Sequence, residues 1–168
     1  MSRRRDTGEA DGTGLAGRFI LWALRQRLFA GCSCDPLLGR GFYAAFGLSV
    51  VEAGLATFED FFAALSRNIT GDLGFHCPCR SDASADEKLI LGFIAACQHG
   101  HELCERRIAV RLVGPDRAGL LVTRGRAFAR ALTRGDLHLP PPGGTITGGR
   151  AARYRSVPHQ TDAGVTLH

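Results

Sequence analysis

The chain has 168 residues, 45% of them hydrophobic, with 21 Lys and Arg against 16 Asp and Glu and a net charge of +5. That length fits one domain with tails rather than two domains, and the apolar share excludes global disorder. Six cysteines are too few for a small disulfide scaffold, and the charge excess lies wholly in residues 114–168, where eight Arg stand against three Asp.

Residues 1–13 are polar and Gly-bearing and read as a disordered N-terminal tail. Acidic residues and glycines follow its arginines, not an apolar run, so no secretory signal is read. The longest apolar stretch, Phe19 to Leu24, is far shorter than the roughly 20 residues that cross a bilayer. No membrane partner is expected, and the expected location is cytoplasmic, where thiols stay reduced. Under those conditions cysteines point to metal binding, redox chemistry or burial.

A first helix is predicted from Leu15 to Ala30, with Phe19, Trp22, Ala23 and Leu24 interleaved with Arg18, Arg25 and Arg27. Asp35-Pro36 starts a second, because the carboxylate caps free N–H groups and proline fits the first helical position. Leu38, Phe42, Ala45 and Phe46 share its apolar face, and Gly47 ends it. Ser49-Val50-Val51-Glu52 is a capping box. The seam Val51, Leu55, Phe58, Phe62, Leu65 and Ile69 follows in steps of four and three. Gly54 weakens this helix without having to break it, the alternative being a restart at Thr57.

Ser84-Ala85-Asp86-Glu87 is a second capping box. The stripe Leu89, Phe93, Cys97, Cys104, Ile108 and Leu112 stays in phase across Gly100. It predicts one helix to Val113, or two with a break at Gly100. Glu102, Glu105 and Arg106 lie away from that stripe. Gly114-Pro115 stops the helix, and Asp116 caps a last one carrying Leu121, Phe128 and Leu132 to about Gly135. No alternating strand pattern appears. The predicted class is all-α: a small bundle of four to five helices over residues 14–139, followed by a Pro/Gly-rich flexible tail, 140–168.

Three constellations carry candidate chemistry. Cys77 and Cys79, in His76-Cys77-Pro78-Cys79, together with Cys97, His101 and Cys104, form a soft ligand set for zinc, the candidate cofactor. On one helix, positions 97, 101 and 104 project from one side. Cys32-Ser33-Cys34 offers another pair. The competing reading places Cys97 and Cys104 in the core as small hydrophobes. Redox-active or mildly activated cysteines are the related option, since Cys34 precedes a helix start and Cys79 precedes Arg80. Arg126, Arg130 and Arg134, at steps of four, form a positive stripe for nucleic acid or another polyanion, extended by Arg150, Arg153, Tyr154 and Arg155. Phe61, off the Phe58/Phe62 face, is the candidate interface residue for a protein partner or a second copy; the alternative is a contact with another helix of the same bundle. Spacing identifies no base with an orienting acid, so the leading expectation is a non-enzymatic binding or regulatory module.

Overall fold

The computed structural model describes residues 14–30, 36–48 and 50–142. Among them run six helices and no strand: α1 (Gly14–Ala30), α2 (Pro36–Phe46), α3 (Val51–Ser66), α4 (Ala85–His99), α5 (Glu102–Val113) and α6 (Pro115–Arg134). The class is all-α, with one helix more than the four to five expected. Residues 1–13 and 143–168, and with them most of both expected tails, lie outside the described residues, as do Asp35, Ser49 and the Cys32-Ser33-Cys34 pair.

The extra helix comes from Gly100. It adopts φ +68°, a left-handed conformation that glycine takes without steric penalty, and its N–H bonds back to the Ala96 carbonyl to close α4. His101 then becomes the N-cap of α5. An apolar stripe that keeps phase across a break cannot reveal the break. The consequence is a corrected inner face for α5, formed by Glu105, Ile108, Ala109, Leu112 and Val113. Glu105, expected away from the apolar stripe, is turned inward.

The predicted caps are met at α4 and displaced at α3 and α6. Ser84 accepts the Glu87 N–H while the Glu87 side chain accepts the Ser84 N–H, so the second capping box is fully formed. α3 runs unbroken through Gly54, and Thr57 sits inside it with its hydroxyl donating to the Ala53 carbonyl at 2.7 Å. Val50, and not the expected Ser49, holds the N-cap position of α3, without a side-chain cap bond, because a valine side chain has no acceptor. Gly114, and not the expected Asp116, is the N-cap of α6, because Pro115 already takes the first helical position; Asp116 lies in the first turn, where a carboxylate suits the helix dipole.

α6 packs against α3, α4 and α5, while α1 and α2 close on α4 and α3. Phe42, Phe58, Phe61, Phe93 and Phe128 are fully buried along this junction. Phe61 lies stacked between Phe93 (centroids 6.1 Å apart, planes at 13°) and Phe128 (5.8 Å, 14°). It is therefore a core residue and not an interface residue: α4 and α6 meet α3 on that side, so both faces of the Phe58–Phe62 turn are covered. Gly125 permits the close approach of α6 to α4. A Cβ there would stand 2.4 Å from the Phe93 ring and 3.2 Å from the Cys97 sulfur. Beyond α6, Gln98 fastens the chain by donating to the Leu137 carbonyl and accepting from the Leu139 N–H, each at 2.8 Å. Among the described residues no helix is long and apolar enough to cross a membrane.

Candidate functional site

Residues 67–84 join α3 to α4 as irregular backbone and carry His76-Cys77-Pro78-Cys79. Connections of this length without regular structure are uncommon in compact domains. This one is held by an ion pair that the sequence did not announce. Arg25 of α1 reaches Glu87 in the first turn of α4 through two bonds, Nε to Oε1 at 2.7 Å and Nη2 to Oε2 at 2.8 Å. The two side chains are 5% and 0% exposed. The same guanidinium donates to the Arg80 carbonyl at 2.5 Å and the Asp82 carbonyl at 2.7 Å. Glu87 also accepts the N–H of Ser84 at 2.7 Å and of His76 at 3.3 Å. The Ser84 hydroxyl donates to the Gly74 carbonyl. One buried pair thus ties α1, α4 and both sides of the loop together. Burial pushes the Glu87 carboxyl upward, but the Arg25 hydrogen bonds and the Ser84 N–H outweigh it and hold the group below its ordinary value. The Glu87 hydrogen bond raises the Arg25 pKa in turn.

On this anchored loop, Cys77-Pro78-Cys79-Arg80 forms a β-turn, closed by the Arg80 N–H donating to the Cys77 carbonyl at 3.0 Å. Proline in its second position presets the backbone. The turn brings the two thiols together. The Cys79 N–H donates to the Cys77 sulfur at 3.4 Å. The Cys79 thiol hydrogen-bonds the same sulfur, which lowers the Cys77 pKa, with smaller help from that N–H and the Arg25 charge. The same bond raises the Cys79 pKa. Both cysteines are exposed. Beside them Arg80 and Asp82 form two bonds of 2.8 Å. The Arg80 hydrogen bonds bring the Asp82 carboxyl down to about 2. The His76 ring lies 3.2 Å from the Asp82 carbonyl through Nδ1.

The remaining predicted ligands are not gathered here. Among the described residues no three His, Cys, Asp or Glu stand close enough to hold a metal ion. The break at Gly100 places Cys97 on α4 and Cys104 on α5, with His101 exposed between them. Cys97 is half-buried, and burial followed by the Glu105 charge pushes its thiol up to about 12. The arginine stripe is also reduced. Arg126 donates to Glu105 at 2.8 Å and to Glu102 at 3.1 Å, leaving Arg130 and Arg134 exposed. The tail residues Arg150, Arg153, Tyr154 and Arg155 lie outside the described residues.

Sequence reasoning missed Arg25 and Glu105. The capping box singled out Glu87, but its main partner is 62 positions away on an unrelated helix. It also missed where the exposed apolar side chains lie: Leu103 (82% exposed) and Val110 (37%) flank Arg106 and Arg107 on the outer face of α5. No family model, curated protein or solved structure matches this chain.

Proposed function

We propose that this chain is a small helical binding or regulatory module whose working element is the Cys77–Cys79 pair, a dithiol that exchanges with disulfides. One observation carries the reading: the Cys79 N–H donates to the Cys77 sulfur at 3.4 Å in an exposed, anchored turn that sets the two cysteines side by side. A thiolate is the nucleophile in exchange, and a hydrogen-bonded sulfur becomes a thiolate more readily. The geometry for closing a ring is also available. Two Cα–Cα steps of about 3.8 Å, bent by a turn, fall within the roughly 4.4–6.8 Å that disulfides span.

The Cys77 thiolate attacks one sulfur of a disulfide RSSR. The S–S bond breaks, and the first RS⁻ leaves and takes up a proton. Cys79 then gives its proton to solvent and attacks the Cys77 sulfur of the mixed disulfide, expelling the second RS⁻. The two protein thiols are oxidised to one disulfide, and RSSR is reduced to two RSH. RSSR belongs to a protein partner or to a small disulfide.

Alkylation with limiting iodoacetamide at neutral pH, mapped by fragment mass spectrometry, tests the reading. Cys77 is expected to react first, then Cys79, with Cys97 slowest. Equal labelling of Cys77 and Cys79 overturns it. Zinc would draw on the same two thiols, so metal analysis of protein purified with reductant separates the readings. Near-stoichiometric zinc that disappears in Cys77→Ser would replace the free dithiol with a metal site.

A further inference from the structure

Beside the turn lies a recess of about 170 Å³ lined by Arg18, Leu21, Trp22, Pro78, Arg80 and Ser81. Pro78, between the two cysteines, forms part of its wall, so whatever occupies it lies next to the thiols. Its lining combines apolar side chains, Trp22, Leu21 and Pro78, with cationic ones, Arg18, Arg25 and Arg80. The charges are not equivalent. Arg80 is paired with Asp82, and Arg25, which also lines the recess, is paired with Glu87. Arg18 is exposed, and no carboxylate among the described residues pairs with it. Among the described residues, the recess therefore carries one positive charge without a carboxylate partner. Its volume corresponds to about six waters and is below the roughly 300–1,000 Å³ of drug-sized sites. That size suits one carboxylate-bearing arm of a ligand, not a whole large ligand.

We infer that the recess is a recognition subsite for small anionic disulfides. A carboxylate of the disulfide meets Arg18, an apolar segment lies against Trp22 and Pro78, and the S–S bond is presented to Cys77. This rests on the dithiol reading above, and adds a substrate class to it.

The test uses the full-length protein with two disulfides, anionic glutathione disulfide and neutral 2-hydroxyethyl disulfide, at low ionic strength. The unreactive thioether S-methylglutathione serves as a binding probe. Arg18 is solvent-facing on α1 and forms no ion pair among the described residues, so Arg18→Ala is expected to fold normally. It should slow exchange with glutathione disulfide about tenfold, the lower end of electrostatic steering, and leave the neutral disulfide unchanged. Arg18→Lys should retain most of the rate. Trp22 is the only tryptophan, so its fluorescence reports the recess directly. S-methylglutathione should change it in the wild type and not in Arg18→Ala. Equal rates for wild type and Arg18→Ala with both disulfides, or a fluorescence response that survives Arg18→Ala, overturn the subsite. Fluorescence that responds while neither disulfide reacts keeps the recess as an anion site and overturns the dithiol reading.

Discussion

Two regions of this protein use the same three residue types to opposite ends. Beneath the turn, Arg25 and Glu87 are both buried and the nearby cysteines are exposed. At the contact of α5 with α6, Glu105 is buried, Arg126 is 38% exposed and the nearby Cys97 is half-buried. Glu87 accepts from Arg25, Ser84 and His76 and leaves neither oxygen unsatisfied. Glu105 accepts from Arg126 through Oε2, while its Oε1 is buried without a partner. The charges act on the thiols accordingly. Arg25 helps lower the Cys77 pKa, whereas burial and then Glu105 raise that of Cys97 to about 12. The two thiol environments thus differ in hydrogen-bond donors and solvent access, the factors that set how readily a thiol ionises.

The largest expected effect tests the fully partnered pair. Arg25→Ala leaves the Glu87 charge buried and unpaired, and should cost about 3–5 kcal/mol in urea unfolding. A loss under about 1 kcal/mol would mean that water satisfies Glu87 and that the pair does not anchor the loop. Gly125→Ala probes the other region, where the added methyl meets Phe93 and Cys97. It should cost about 1–3 kcal/mol through overpacking, and no change in the unfolding midpoint would show that α4 and α6 separate freely. Arg126→Ala should cost less than Arg25→Ala, about 1–2 kcal/mol, because solvent already reaches its guanidinium and can replace part of the lost bonding. Equal costs for the two arginines would erase the contrast between the regions.

The smallest effect is a pH dependence. Glu87 and Asp82 have folded-state pKa values below their ordinary ones, so the folded protein binds fewer protons than the unfolded chain between those values. Their contribution to stability is present above the ordinary carboxylate range, near pH 4, and is lost as the pH falls. For Asp82 the loss runs from its ordinary value of 3.8 down to about 2. Urea midpoints measured across this window should fall with pH, and Asp82→Asn should flatten part of the slope. A slope unchanged by Asp82→Asn would show that the Arg80–Asp82 pair does not contribute.

Much of the helical framework was legible because its signals are local. The Ser84–Glu87 box, Pro36 and Gly47 each act over one or two turns and fall where the sequence puts them, and the seam residues Phe58, Phe62 and Leu65 are buried on α3, which ends before Ile69. The candidate site was legible in part. His76-Cys77-Pro78-Cys79 stands out by composition, but its grouping with Cys97, His101 and Cys104 fails, because a left-handed glycine separates two helices that share one apolar phase.

The sequence by itself determined the all-α class and the starts of α2 and α4, since capping, proline geometry and periodicity are properties of neighbouring residues. Only the tertiary structure decided that Phe61 is core, that Arg126 is engaged by Glu105 and Glu102, and that Arg25 reaches across to Glu87. Those are contacts between helices distant in sequence. Their energies depend on which charges lose water together, and that is fixed only when the helices pack.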